Sequence, residues 1–313
     1  MNGPAKAPVL GAAASWLGWC CPYCAAPLEE RAHGLLCGAE QRWFATDRGV
    51  HRLLTEERRR EILPFLELYQ RGRRDAGFRA EPGLPLVSPG HPMAAHWQGR
   101  AERFRRGVAL AAAILGRGPW RVLEVGAGCA WASVRLSEQG HHAVAVDVNL
   151  DPQDGLVAAE RLPAGRELPR AEAEMEALPL QAGSFDLVLA ADSLHYPARL
   201  LRSLVELRRV TRRGGLLLVL ESPVYRRRPD GEAMVARRME QEARRYGISF
   251  PREAQAGYLV LRELPELFRS AGWRLEVRGW PDPLRERAVD LLALLRRGRR
   301  PARLPILLAR RDG

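Results

Sequence analysis

Two glycines and a downstream acid have the types and spacing of a site for a polar cofactor. The segment 121–132 reads RVLEVGAGCAWA, an apolar strand followed by a tight turn containing Gly126 and Gly128 and then the start of a helix. Such a corner lets backbone N–H groups approach a ligand closely. A second strand, 143–146, ends in Asp147, where a carboxylate can accept hydrogen bonds from both hydroxyls of a ribose. The spacing therefore predicts a nucleoside-binding site.

The details of the turn separate two nucleoside cofactors. The dinucleotide fingerprint needs a third glycine where the helix packs on the strand, and that place is occupied by the bulky Trp131, which disfavours a nicotinamide enzyme. An acid, Glu124, stands just before the first glycine. This ExGxG pattern resembles motif I of class I S-adenosylmethionine (SAM) methyltransferases, with Ala130 in place of the family's usual third glycine.

A second block in register strengthens the resemblance. Residues 173–197, AEMEALPLQAGSFDLVLAADSLHYP, are similar to the acidic loop and motif IV of these methyltransferases. Phe185 to Ala191 is an almost unbroken apolar run, as expected of a buried parallel strand. Ligands of open parallel sheets bind at the carboxyl ends of the strands, which is where Asp192 follows.

The resemblance implies a fold and a cofactor. The expected fold is α/β, a Rossmann-like, seven-stranded class I methyltransferase sheet with a small N-terminal zinc-ribbon-like β module, and the expected cofactor is SAM. Gly126 and Gly128 would cradle the methionine portion, Asp147 would bind the ribose, and Glu174 with Met175 would hold the adenine. The full predicted cofactor set is Glu124 (ordering the ammonium end), Gly126, Ala127, Gly128, Asp147, Val148, Glu174, Met175, Ala191 and Asp192.

The catalytic machinery is less specified by sequence. His195 is a candidate base because its unperturbed pKa lies near neutrality and it sits just past a strand end. A single histidine is more often structural, and Tyr196 is a further candidate. No [ND]-P-P-[YFW] motif follows the fourth strand of the fold, which disfavours methylation of exocyclic amino groups of bases, and no P-C or T-C dipeptide is present there, which disfavours covalent C5-pyrimidine methylation.

The cysteines predict a metal module near the N-terminus. Cys21 and Cys24 form a C-x-x-C turn, and Cys37 follows a short polar stretch. The segment resembles the zinc ribbons that accompany methyltransferases, which implies bound zinc. The expected fourth cysteine is replaced by Glu40, so the fourth ligand is left open between Glu40 and Cys20. The alternative is a ribbon fold that has lost its metal.

The predicted organisation has four parts: a flexible N-terminus at 1–19, the ribbon at 20–54, a helix and Pro/Gly linker at 55–92, and the methyltransferase domain at 93–313 with a substrate-side insertion at 222–258. The helix 55–72 carries apolar residues at helical spacing. A second helix, 93–115, leads into the glycine turn. Lead-in helices of this kind often cap SAM pockets, although their aromatic residues can also simply pack on the sheet.

Composition leaves the acceptor open. The formal charge of +12 and the isoelectric point near 10.4 come almost entirely from arginine, and either RNA binding or the codon bias of a GC-rich genome explains them. No apolar run reaches the length of a membrane span, and we expect a cytoplasmic protein without membrane contact. The favoured hypothesis is methyl transfer to a small molecule. The alternatives are an rRNA or tRNA methyltransferase that uses the ribbon for RNA contact, and a non-catalytic SAM-binding activator subunit.

Overall fold

The computed structural model describes residues 16–247, 257–297 and 300–312. Most of the expected flexible N-terminus, 1–15, and part of the insertion, 248–256, lie outside these ranges. Within them, residues 16–19 pack on the domain: the Trp16 ring meets Phe185 edge-on at 5.8 Å, and Trp19 forms an isolated β-bridge with Leu180. In the described ranges no helix has the length and apolarity needed to cross a bilayer.

The centre of the molecule is a mostly parallel sheet. Its strands are β5 (Arg121–Val125), β6 (His142–Asp147), β7 (Arg170–Glu172), β8 (Phe185–Ala191), β9 (Thr211–Leu220), β12 (Trp273–Arg278) and β13 (Ile306–Arg311). Their order across the sheet is β7-β6-β5-β8-β9-β13-β12, and β13 alone runs antiparallel to both of its neighbours. This is the class I methyltransferase arrangement, so the fold predicted from the sequence is confirmed.

The ribbon continues this sheet instead of standing apart from it. It consists of β1 (Leu28–Arg31), β2 (Gly34–Cys37), β3 (Arg42–Asp47) and β4 (Val50–Arg52). These strands are antiparallel to one another, but β4 pairs in parallel with β7, with Val50 opposite Arg170 and Arg52 opposite Glu172. The result is one sheet of eleven strands, in which the ribbon covers the edge that β7 would otherwise expose.

Seven helices accompany the sheet in the described ranges: α1 (Glu56–Asp75), α2 (Ala94–Leu115), α3 (Trp131–Glu138), α4 (Leu200–Val210), α5 (Arg228–Tyr246), α6 (Leu264–Ser270) and α7 (Pro283–Arg297). A short 3-10 helix, Leu156–Arg161, follows β6. A two-stranded parallel pair, β10 (Val224–Tyr225) with β11 (Leu259–Val260), flanks the predicted insertion. The predicted start of α1 is confirmed, because the Thr55 hydroxyl accepts a hydrogen bond from the Arg58 N–H at 3.3 Å.

The apolar central strands supply a core on both faces of the sheet. Leu123 and Val188 belong to one buried cluster, while their neighbours Val122 and Leu187 belong to the other. Successive residues of a strand point to opposite faces, so a continuous apolar run is what a sheet covered on both sides requires. The polar turns that follow these strands are thereby gathered at one edge.

Candidate cofactor-binding site

A cavity of about 260 Å³ opens at the carboxyl ends of β5, β6 and β8. Its floor, as we name it, is made by the strand-end residues Gly126, Asp147, Val148, Asn149, Asp192 and Ser193. Its roof, as we name it, is made by α1 through Arg58, Glu61, Ile62, Phe65, Leu66 and Tyr69. The loops after β7 and β8 close the sides with Ala173, Glu174, Met175, Glu176, Tyr196, Pro197 and Ala198.

The cavity brings together seven of the twelve predicted cofactor and catalytic residues. Those that line it are Gly126, Asp147, Val148, Glu174, Met175, Asp192 and Tyr196. The five that lie behind the lining are Glu124, Ala127, Gly128, Ala191 and His195. Proximity in sequence to a strand end therefore places a side chain near the cavity without deciding whether it faces it.

The glycine turn is shaped by left-handed backbone. Gly126 and Gly128 have φ values of +62° and +54°, and Ala130, immediately before α3, has φ +57°. A Cβ atom added to Gly126 would lie 2.4 Å from the Cβ of Ser193 and 3.6 Å from the Cε of Met175. The Ser193 hydroxyl donates to the Val125 carbonyl at 2.7 Å, which holds the β8 end against the turn. Only glycine fits at position 126.

The Asp147 carboxylate points at the glycine turn. Its two oxygens accept hydrogen bonds from the Gly128 N–H at 2.6 Å and the Asn149 N–H at 2.8 Å. Burial raises the pKa of Asp147 to about 6, while the hydrogen bonds from Asn149, Gly128 and Val148 oppose that rise. The carboxylate thus lies at the cavity wall and is held against the glycine turn.

Glu124 is buried behind the turn and bonded to the first turn of α3. It accepts from the Ser133 N–H at 2.8 Å and from the Ser133 hydroxyl at 2.6 Å. Burial raises its pKa to about 7, partly offset by the bonds from Ser133. Because a carboxylate at a helix N-terminus is stabilised by the free N–H groups there, the contacts of Glu124 order the turn and the helix.

Two arginines that sequence reasoning missed stand beside Asp192. Arg100 of α2 is 3.3 Å from an Asp192 oxygen, and Arg73 of α1 is 4.0 Å from the same oxygen. The Arg100 side chain is 5% exposed, and its Nε is a buried donor without a hydrogen-bond partner among the described residues. Arg73 also bonds Asp154 at 2.6 Å. Neither arginine is among the residues that line the cavity, so both act on it through the carboxylate of Asp192.

The roof helix is α1, whereas α2 packs on the sheet. The apolar periodicity of α1 predicted a helix, but Ile62, Phe65, Leu66 and Tyr69 face the cavity and not the sheet core. In α2, Trp97 and Phe104 are buried against Trp131, with ring centroids 6.0 Å and 5.1 Å apart. Of the two interpretations of the lead-in helix, packing on the sheet is the one that fits the aromatic residues of α2, although Arg100 reaches toward the cavity.

Ion pairs and one hydrogen bond between two side-chain amides hold α1 over the floor. Arg58 bonds Glu174 at 2.7 Å, so the acid predicted to contact adenine is paired with the roof. Further links are Arg59 to Glu172 at 2.6 Å, Gln70 to Asn149 at 2.9 Å, Arg73 to Asp154 at 2.6 Å, and Arg74 to Asp151. Nothing in the local sequence of Glu174 signals a partner 116 positions away.

The two candidate catalytic residues differ in access. Tyr196 lines the cavity, with its ring 5.6 Å from that of Tyr69, and burial raises the pKa of Tyr196 to about 12. His195 is buried behind it, with ring centroids 4.2 Å apart and Nδ1 3.3 Å from the Ser222 hydroxyl. Burial lowers the pKa of His195 to about 4, so its imidazole is neutral at physiological pH.

The ribbon brings its three predicted metal ligands together. The Sγ atoms of Cys21, Cys24 and Cys37 all lie within 4.8 Å of one another, and those of Cys24 and Cys37 are 3.5 Å apart. The Glu40 backbone N–H, not its carboxylate, points at the Cys37 Sγ at 3.4 Å. The grouping contains neither Glu40 nor Cys20 within the described residues. Three thiols in this geometry fit three positions of a tetrahedral zinc site.

Comparison with known proteins agrees with this geometry. Residues 123–219 match the family model described as Methyltransferase domain. A demethylmenaquinone methyltransferase of Mycobacterium sp. is 35% identical over 120 residues, which is 38% of this chain and 49% of the relative. An uncharacterized protein of Mycobacterium bovis is 42% identical over 101 residues, 32% of this chain and 36% of the relative. The matched region therefore spans half or less of these curated relatives.

A solved structure supports the fold alone. The crystal structure of a sarcosine dimethylglycine methyltransferase candidate from Galdieria sulphuraria has a TM-score of 0.51 and 14% identity, covering 79% of this chain and 98% of that one. Together with the strand order, it shows a class I methyltransferase fold, within which residues 123–219 match the methyltransferase-domain model.

Proposed function

We propose that this protein is a SAM-dependent methyltransferase whose acceptor is a small molecule. The observation that carries the proposal is the cavity itself, in which the glycine corner and Asp147 form one wall and the apolar side chains of α1 form the other. A nucleoside suits the first wall and a small apolar acceptor suits the second.

The residues present fit SAM. In this proposal Asp147 binds the ribose and Glu174 and Met175 pack against the adenine, and their positions along the same cavity support these roles. A bound SAM supplies an activated methyl group, because a sulfonium is a good leaving group. The protein then has to orient the acceptor and keep water out.

The roof and Tyr196 perform those tasks in our account. Phe65, Tyr69 and Tyr196 form an aromatic cluster with ring centroids 5.6 to 6.3 Å apart, and Ile62 and Leu66 extend it. Such a wall excludes water and packs against a flat, apolar acceptor. The demethylmenaquinone methyltransferase relative supports an acceptor of this kind.

Tyr196 and His195 take different roles in this account. Tyr196 is protonated at physiological pH, so its hydroxyl can donate a hydrogen bond to the acceptor but does not act as a base. His195 acts as a positioning residue, because its ring packs on Tyr196 and its Nδ1 meets Ser222.

We also propose that Cys21, Cys24 and Cys37 hold a structural zinc ion. Glu40 and Cys20, the two residues considered for the fourth ligand, are not part of the described cluster. Zinc here would order the turns of the ribbon, which continues through β4 into α1.

The deciding experiment incubates the purified protein with methyl-labelled SAM and with separated small-molecule, RNA and protein fractions of a bacterial cell. We expect the label in the small-molecule fraction, and the Asp147→Ala variant should abolish it. Label in RNA would overturn the choice of acceptor. SAM binding by calorimetry without label transfer to any fraction would indicate the non-catalytic activator instead.

A further inference from the structure

Helix α7 presents a row of leucines to solvent. Leu284, Leu291 and Leu295 are 77%, 58% and 76% exposed, and Leu292 is 52% exposed. With Ala288, three of them recur at spacings of four, three and four residues, which places them on one side of the helix. Large apolar side chains grouped in this way on a folded protein mark a surface that contacts something apolar.

The charges of α7 are sorted between its two sides. Its two acids face the protein: Glu286 is paired with Arg226, and Asp290 accepts from Arg303 at 2.9 Å. The exposed residues Arg285 and Arg287 stand beside the leucines, and the sequence continues beyond Leu295 with two further arginines. The described solvent side of α7 therefore combines leucine with positive charge and carries no acid.

The strand directions place α7 at the end of the sheet where the parallel strands finish and the cavity opens. β13 is antiparallel to β9, and β12 is antiparallel to β13, so β12 runs in the same direction as β9, β8 and β5. The segment that leaves the carboxyl end of β12 and contains α7 thus emerges at the same edge as Gly126 and Asp192. A surface that α7 binds would meet the side of the molecule that carries the cavity.

We propose that α7 docks on an anionic lipid surface. Leucines flanked by arginines, with the acids turned inward, have the composition of a helix that lies in the interface of a negatively charged membrane. A second copy of this chain is a poorer occupant, because a two-fold contact through this face would bring arginine against arginine. Nucleic acid would use the arginines but leave the leucines in water.

The inference goes beyond the proposed function and does not depend on it. An apolar acceptor would be found in a lipid surface, but docking of α7 requires neither bound SAM nor methyl transfer. The binding of SAM can therefore be measured on the same variants as an independent sign that the domain is folded.

The test is co-sedimentation of the full chain with vesicles of phosphatidylcholine alone and of phosphatidylcholine with phosphatidylglycerol. We expect binding to the mixed vesicles that weakens with added salt. The double variant Leu291→Ser, Leu295→Ser should reduce the partition coefficient about tenfold or more. The matched control is Leu201→Ser, Val205→Ser on α4, whose side chains are 44% and 50% exposed. It should bind like the parent chain.

Three outcomes would overturn the proposal. Equal binding of the α7 variant and the parent would remove α7 from the contact. Absence of binding to anionic vesicles would exclude the lipid surface. Ultracentrifugation that shows a dimer broken by the α7 variant, with no effect of vesicles, would assign the face to a second copy.

Discussion

The floor and the roof of the cavity are built by different physical means. The floor is held by backbone: Gly126 and Gly128 adopt left-handed conformations, and Asp147 accepts two backbone N–H bonds at 2.6 and 2.8 Å. The roof is held by side chains, since α1 buries only Leu68 fully and is tied down mainly by arginine–acid pairs.

The difference predicts a fixed floor and a movable roof. Pairs whose arginine is well exposed, such as Arg59–Glu172 and Arg74–Asp151, contribute little and are weakened by salt, whereas the buried Arg73–Asp154 pair holds the C-terminal part of α1 more firmly. The apolar face of α1 rests on the cavity instead of on the core. We therefore expect α1 to move more readily than the strand ends beneath it when a cofactor enters.

The largest expected effect is on the floor, from Gly126→Ala. The new Cβ would overlap Ser193, and alanine at φ +62° is strained as well, so the turn must shift. We expect SAM affinity, measured by calorimetry, to fall about 100-fold or more. Gly140→Ala is the matched control, because Gly140 has φ +87° and no described atom within 4 Å of an added Cβ. If both variants bind SAM equally, the turn is not part of the site.

The second effect is a loss of SAM affinity in acid. A ribose needs the ionised carboxylate of Asp147 as an acceptor, and the pKa of that group is raised to about 6. Titration calorimetry from pH 8 to pH 5 should show affinity falling below about pH 6, approaching tenfold per pH unit. Asp147→Asn should bind weakly and lack this step. An unchanged step in the variant would assign the proton to another group.

The carboxyl groups of Asp147 and Glu124 also determine how the stability of the unliganded protein changes with pH. The folded-state pKa values of Asp147 and Glu124 are both raised, to about 6 and about 7. The folded state therefore holds these protons more tightly than the unfolded chain. Their contribution is present below the unfolded values and is lost as the pH rises through 6 to 7. Denaturant unfolding at pH 5 and pH 8 measures the part of this contribution that is lost between those two pH values, and bound SAM should reduce the difference.

A smaller effect is expected on the roof, from Arg58→Ala. The change removes the partner of Glu174 and loosens α1, so SAM affinity should fall only about 3–10-fold. The affinity should also depend less on salt concentration. Arg60→Ala, on the exposed side of the same helix, is the control and should match the parent. A loss as large as that of Gly126→Ala would show that the roof is as fixed as the floor.

The smallest effect should come from the ribbon. A chelator should remove about one zinc ion per chain, and the Cys21→Ser, Cys37→Ser variant should contain none. Either change should weaken SAM binding about twofold, because β4 leads directly into α1. Elemental analysis and calorimetry measure both. A chain that never contains zinc would favour the alternative of a metal-free ribbon.

The part of the floor formed by the glycine turn and Asp147 could be predicted from sequence because its parts are local. The strand, glycine turn and acid lie within a segment of about thirty residues, and the register of β5 against β6 follows from their apolar runs. The helix α1 was also predictable as a helix. Its position over the cavity was not, since it depends on pairs such as Arg58 with Glu174 that no periodicity encodes.

The direction in which a side chain points was the other feature that the sequence did not predict. Glu124 and Asp147 both end strands of the same sheet, yet one faces the α3 N-terminus and the other the cavity. The same holds for His195 and Tyr196, adjacent residues of which only Tyr196 lines the cavity. The parallel pairing of β4 with β7 likewise joins segments about 120 residues apart, and the sequence of neither short strand indicates which strand it pairs with.

Hydrogen–deuterium exchange with and without SAM tests the central claim most directly. We expect SAM to slow exchange most in α1, around residues 58–69, and to protect the turn at 126–128, while the amides of β5 and β6, which are paired in the centre of the sheet, change little. Unchanged exchange in both α1 and the turn, or protection confined to another part of the chain, would contradict a cofactor held between this floor and this roof.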